Sequence, residues 1–119
     1  MDLIIGGAYQ GKTDYVRRTY NLSEEDICDC ALQGADYSRR CLLHFEREVL
    51  RCLQENRPVM LPERSDAVIT ADDVFCGVVP VDAETRAFRE ECGRILTALA
   101  ARSATVTRVF CGLPMRIKG

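Results

Sequence analysis

The apolar run Leu3-Ile4-Ile5 leads directly into G-G-A-Y-Q-G-K-T at Gly6 to Thr13, and this junction constrains the chain more than any other feature. It reads as a buried strand ending in a G-x-x-x-x-G-K-[ST] loop that opens a helix. Glycines let the backbone curl without Cβ clashes, so the N–H groups of Gly6, Gly7, Ala8, Tyr9, Gln10, Gly11, Lys12 and Thr13 can turn inward onto phosphate oxygens. The helix that follows aims its partial positive end at the same phosphates. Lys12 can reach the β- and γ-phosphates, and the Thr13 hydroxyl can ligate Mg²⁺. The expected ligand is therefore a nucleoside triphosphate, ATP or GTP, with Mg²⁺.

The rest of the chain alternates strand and helix signals. A helix is expected from about Lys12 to Tyr20, ended by Asn21, and Asp26 to Cys30 is an ambiguous short strand. Asp36 suits an N-cap for a long helix. The apolar positions Tyr37, Cys41, Phe45, Val49 and Leu53 recur at i, i+4 and leave Arg39, Arg40, Glu46, Glu48 and Arg51 for the other faces. That helix stops at Asn56-Arg57-Pro58, with Val59 to Leu61 a short extended piece. Ala67-Val68-Ile69-Thr70 reads as a central parallel strand with Asp72 and Asp73 at its carboxyl end, where a functional carboxylate belongs. The loop from Gly77 to Val81 leads to Asp82, which can cap a third helix running to about Arg102, with Phe88, Cys92, Ile95, Leu96 and Leu99 on one face. Thr107 to Cys111 is the expected final strand. The pattern predicts one α/β domain over residues 1–119, a P-loop three-layer sandwich with a mainly parallel sheet.

Composition narrows the partners. A net charge of −2 without blocks of like charge points to neither nucleic acid nor an anionic membrane, and no apolar stretch approaches a bilayer span. With no basic leader or cleavage site at the N-terminus, a cytoplasmic protein is expected. At 119 residues the chain is small for an enzyme that holds two substrates, so further copies in a homo-oligomer are one way to complete the site. The seven cysteines are spaced for neither a disulfide framework nor zinc: Cys28 and Cys30 form C-x-C, and Cys41, Cys52, Cys76, Cys92 and Cys111 are scattered. Reduced, largely buried thiols are expected, with a metal site of Cys28, Cys30 and His44 as the alternative.

Several segments outside the loop carry a further signal. A-D-D-V-F-C-G-V-V-P at 71–80, R-A-F-R at 86–89, G-R at 93–94 and C-G-L-P-M-R-I-K at 111–118 resemble, in order and spacing, stretches of the adenosylcobinamide kinase / adenosylcobinamide-phosphate guanylyltransferase family. In that family they look like S-N-E-V-G-x-G-I-V-P, R-x-F-R-D, G-R and S-G-L-P-x-x-x-K. The family also opens with a strand running into G-G-x-x-S-G-K-S, matched by Gly6, Gly7, Gly11, Lys12 and Thr13. The resemblance runs over residues 1–20 and 67–119, in a chain considerably shorter than a typical bifunctional member.

This resemblance implies a P-loop α/β fold and two steps of cobalamin nucleotide-loop assembly. The first is nucleoside-triphosphate-dependent phosphorylation of the cobinamide aminopropanol hydroxyl, and the second is transfer of GMP through a histidine-linked intermediate. On this reading Lys12 stabilises charge on the transferred γ-phosphoryl group. Asp73, which matches the family glutamate, and its neighbour Asp72 hold Mg²⁺ with Thr13 or orient the acceptor hydroxyl; a solvated acidic pair in a turn is the alternative. Arg86 and Arg89 could serve a triphosphate but suit a solvated helix face better. Three positions depart from the family pattern: Asp72-Asp73 replaces Asn-Glu, Phe75 replaces Gly, and Leu96-Thr97 replaces Asn-Gln. His44 is the only histidine and so the only candidate GMP carrier. Read as lying inside a long helix beside Phe45, it gives no sign of a phosphate-facing nucleophile, so a kinase of corrinoid substrates without guanylyl transfer is expected. The alternatives are a regulatory or scaffolding nucleotide-binding module and a simple NTPase.

Overall fold

The computed structural model describes residues 1–72 and 83–119. Alternating apolar residues build the sheet. Strand β1 (Asp2–Gly6) lies at its centre, paired parallel to β4 (Val68–Asp72) on one side and to β5 (Thr105–Phe110) on the other. Strands β2 (Ile27–Asp29) and β3 (Cys41–Leu43) extend it beyond β4, also in parallel, and β6 (Leu113–Lys118) closes the far edge antiparallel to β5. The order is β2-β3-β4-β1-β5-β6.

Register aligns the apolar side chains in rows. Cys28, Leu42, Ile69, Leu3 and Val106 are successive partners across five strands, and all are buried in one core layer. Helices α2 (Phe45–Gln54) and α3 (Ala83–Arg102) cover that layer with Phe45, Val49, Cys92, Ile95 and Leu99. Because strand side chains alternate, Ile4, Cys41, Leu43, Val68 and Val109 face the opposite way. Helix α1 (Lys12–Tyr20) covers them with Val16, and the Tyr20 hydroxyl donates to Asp2 Oδ2 at 2.7 Å, tying the end of the helix back to β1. Each fully buried aliphatic side chain in these layers contributes about 2 kcal/mol through removal from water. The three-layer α/β sandwich with a mainly parallel sheet is thus the fold observed.

Two expectations are corrected. The residues from Asp36 to Leu43 are not helical: Asp36 heads a turn, its Oδ1 accepting from the Ser38 N–H at 3.1 Å and hydroxyl at 2.6 Å. Cys41-Leu42-Leu43 is a fully buried strand between β2 and β4, and the helix begins only at Phe45. A short apolar run can serve either structure, and pairing on both sides decides for the strand. Nor is Thr107 to Cys111 the final strand. Cys111 and Gly112, both at positive φ (51° and 76°), form a two-residue hairpin turn into β6, with Phe110 opposite Leu113. Val59 to Leu61 forms no strand. Asp73, the loop from Gly77 to Val81 and the Asp82 cap lie outside the described residues.

Candidate nucleotide site

The loop between β1 and α1 sits at the carboxyl edge of the sheet, the side on which ligands of parallel α/β sheets bind. Two of its glycines, Gly6 and Gly11, are crowded by neighbouring backbone. A Cβ on Gly6 would stand 2.5 Å from the Val109 carbonyl oxygen on β5, and one on Gly11 would stand 3.2 Å from Gly112 Cα. Gly11 adopts φ 94° immediately before α1, and Tyr9 also has positive φ (61°) and is fully exposed. The loop is held by the β5–β6 turn, which follows the strand next to β1. The Gly112 N–H donates to the Gln10 carbonyl at 2.8 Å, and the Cys111 N–H donates to Gln10 Oε1 at 2.7 Å. The Cys111-Gly112 turn therefore also holds the loop between β1 and α1.

Lys12 opens α1 with its side chain only 5% exposed. Its ammonium donates to the carbonyls of Gly6 at 3.1 Å and Gly7 at 2.6 Å, and its Nζ stands 2.8 Å from Asp72 Oδ1 at the end of β4. Parallel pairing puts Gly6 and Asp72 in register, which is why the loop and the carboxylate meet. A cavity of about 390 Å³ opens here, lined by Tyr9, Gln10, Gly11, Lys12, Thr13, Asp14 and His44, a volume within the range of small-molecule sites.

The position of His44 corrects the sequence reading. It does not lie inside a helix but precedes α2 in the left-handed region (φ 56°), with its N–H donating to Thr70 Oγ1 at 2.9 Å. Its ring lines the phosphate-loop cavity, with Nδ1 3.9 Å from both Glu46 Oε2 and Asp72 Oδ1. The structure thus brings together Lys12, Asp72 and His44, along with Glu46, which the sequence had assigned to an outer helix face. Glu46 is 4% exposed, and its Oε1 accepts the Asp72 N–H at 2.8 Å. Burial pushes its carboxyl above the usual range, opposed by that backbone hydrogen bond. A clue was available in H-F-E at 44–46, which puts an imidazole and a carboxylate two residues apart just ahead of an amphipathic run.

The alternative metal set is not assembled. Cys28 and Cys30 are buried in the core layer beneath α2 and α3, and among the described residues His44 shares its candidate ligand cluster with Glu46 and Asp72. Cys41, Cys52 and Cys92 are likewise buried and free, whereas Cys111 is exposed. On α3, Arg86 is exposed and Arg89 half-buried. Among the described residues, no helix is long and apolar enough to cross a membrane.

A glycine-built loop at the carboxyl edge of a parallel sheet, with its lysine facing a carboxylate on the neighbouring strand, defines a P-loop α/β domain. The chain belongs to the cobinamide kinase / cobinamide phosphate guanyltransferase family, whose pattern residues 37–117 match. It is also similar to the bifunctional adenosylcobalamin biosynthesis protein CobP of Pseudomonas aeruginosa, with 37% identity over 78 residues, covering 65% of this chain and 41% of that protein. The family match begins after the loop at Gly6 to Thr13, so the loop and the match are independent of each other, and it includes residues 37–66, outside the segments that carry the resemblance best. The chain spans less than half the length of this relative.

Proposed function

We propose that the chain is a nucleoside-triphosphate-dependent kinase of adenosylcobinamide, acting without guanylyl transfer. The observation that carries this reading is the placement of Lys12 Nζ between the phosphate loop and Asp72 Oδ1. Phosphoryl transfer depends mainly on positioning and charge neutralisation, and these groups provide both. Residues Gly6 to Thr13 hold the triphosphate, and Lys12 exchanges the Gly6 and Gly7 carbonyls for phosphate oxygens. Thr13 and Asp72 are oxygen donors of the kind Mg²⁺ takes, and Asp72 already faces a cationic group, so the residues fit the ion. Asp73 is the further candidate for holding Mg²⁺ or orienting the acceptor hydroxyl. When bound, Mg²⁺ would supply neutralisation of the triphosphate's charge. The acceptor is a corrinoid side-chain hydroxyl.

The test is cobinamide-dependent release of ADP or GDP together with phosphorylated cobinamide. Only a kinase needs the acceptor, so acceptor-independent release would establish an NTPase, and nucleotide binding without release would establish a regulatory or scaffolding module. Lys12→Ala should weaken nucleotide binding in a titration by more than about tenfold, since charge-assisted bonds to phosphate are worth roughly 1.5–3 kcal/mol.

One observation favours a second reading. His44 lines the phosphate-loop cavity with Nδ1 turned toward two carboxylates, and an imidazole nucleophile needs its second nitrogen oriented. Acid-labile label from radiolabelled GTP, present in the parent and lost in His44→Asn, would establish a histidine-linked GMP and a bifunctional chain.

A further inference from the structure

We propose that His44, Glu46 and Asp72 form a divalent transition-metal site with one nitrogen and two oxygen donors, distinct from the oxygen-only shell in which Mg²⁺ accompanies a nucleotide. One donor atom from each residue lies within 4.8 Å of the others. The His44 Nδ1 to Glu46 Oε2 and His44 Nδ1 to Asp72 Oδ1 distances are both 3.9 Å. Donors at about 2.0–2.2 Å from a zinc-like ion stand roughly 3.2–3.6 Å apart, so small side-chain rotations close the site.

A second observation points to a ligand independently of this clustering. Glu46 Oε2 accepts no hydrogen bond among the described residues, although the side chain is only 4% exposed. The other oxygen, Oε1, is fixed by the Asp72 N–H at 2.8 Å, which orients Oε2. Its neighbours are Arg47 Nε, an ion-pair contact at 3.6 Å that is beyond hydrogen-bond range, and His44 Nδ1 at 3.9 Å. The Arg47 charge offsets part of the cost of burying this oxygen, but its lone pairs accept no hydrogen bond, which a bound cation would make good.

The cationic position beside Asp72 is held by Lys12 Nζ, 2.8 Å away. A metal ion therefore competes with the Lys12 ammonium for Asp72, and a nucleotide that draws Lys12 onto its phosphates relieves that competition. An imidazole with two carboxylates suits Zn²⁺, Co²⁺ or Mn²⁺ better than Mg²⁺. Thr70 Oγ1 accepts the main-chain N–H of His44 and so fixes the backbone that carries the imidazole. The site shares Asp72 with the proposed nucleotide reading but does not require catalysis.

The experiment is titration of the nucleotide-free, fully reduced chain with Zn²⁺ and with Co²⁺, by calorimetry and by visible absorption. One equivalent should bind, with a cobalt spectrum of nitrogen and oxygen ligation that excess Mg²⁺ does not displace. Glu46→Gln keeps the Oε1 acceptor for Asp72, and His44→Asn suits the left-handed backbone, so both should fold with an unchanged circular dichroism spectrum. Each should weaken Co²⁺ binding by more than about tenfold, while Lys12→Met should tighten it by removing the competing charge. Three results overturn the site: no stoichiometric binding, equal affinity in both ligand variants, or a thiolate charge-transfer spectrum unchanged by Glu46→Gln. MgATP binding measured on the same samples reports separately on the nucleotide reading, so failure of one is distinguishable from failure of the other.

Discussion

Lys12 Nζ and Asp72 Oδ1 stand 2.8 Å apart across the in-register ends of β1 and β4, so the phosphate-loop lysine rests on the neighbouring strand's carboxylate. The pair sets an anionic partner against a nearly buried side chain, where an unpaired ammonium would be expensive. On the proposed function, a triphosphate would offer Lys12 stronger partners and leave Asp72 free for Mg²⁺. Asp72→Asn is therefore expected to lower the apparent Mg²⁺ affinity of nucleotide turnover by about tenfold, the size expected when one metal-shell group is lost. The circular dichroism spectrum should stay intact. Measuring initial rates against Mg²⁺ at saturating nucleotide checks this, and an unchanged Mg²⁺ dependence would reduce Asp72 to a structural partner of Lys12.

Gln10 couples the loop to the neighbouring β5–β6 turn. It accepts from Gly112 N–H with its carbonyl and from Cys111 N–H with its side chain. Gln10→Ala removes only the second bond, worth about 0.5–1.5 kcal/mol. Nucleotide affinity should fall by about threefold to tenfold, with a melting temperature close to that of the parent. A melting shift without an affinity change would show that this contact stabilises the fold and does not order the loop.

Gly6 tests how closely β5 approaches the loop. With the position of an added Cβ 2.5 Å from the Val109 carbonyl, Gly6→Ala must displace backbone rather than a flexible side chain. Urea denaturation should show a loss of about 1–3 kcal/mol, typical of overpacking. An unchanged midpoint would mean that β5 yields at no cost.

The loop, α1 and the central strands were legible because their signals are local. Glycine spacing, the apolar run Leu3-Ile4-Ile5 and the β-branched Val68-Ile69-Thr70 each speak for one structure. Helix α1 runs from Lys12 to Tyr20, the span its pattern predicts. Cys41-Leu42-Leu43 was misread because its neighbours Tyr37 and Phe45 continue a helical spacing by coincidence, whereas its actual partners, β2 and β4, are distant in sequence. The error carried His44 with it. Once the helix starts at Phe45, the residue before it falls at a strand's carboxyl end and so into the site. Glu46 was invisible for a related reason: its role depends on the N–H of Asp72, twenty-six positions away. The hairpin into β6 was missed because Leu113, Met115 and Ile117 alternate with polar residues on an edge strand with exposed side chains, giving no buried run to recognise.

The thiols give a test of the core that is independent of any ligand. Cys28, Cys30, Cys41, Cys52 and Cys92 are buried and free, and Cys111 is exposed in the hairpin turn beside Gln10. Burial pushes the Cys41 and Cys92 thiols up to about 12 and raises Cys30 still further, so at neutral pH these groups are protonated as well as shielded. Since the thiolate is the nucleophile, both effects slow thiol–disulfide exchange. In a Cys76→Ser background, a chromogenic disulfide reagent at neutral pH should report one fast thiol per chain, with five more released only by denaturant. Raising the pH by one or two units should leave Cys41 and Cys92 slow, because their titration lies well above that range. Adding Cys111→Ser should abolish the fast phase. A fast phase that survives in the double variant would place a second thiol at the surface and break the core layer described by Cys28, Leu42, Ile69, Leu3 and Val106.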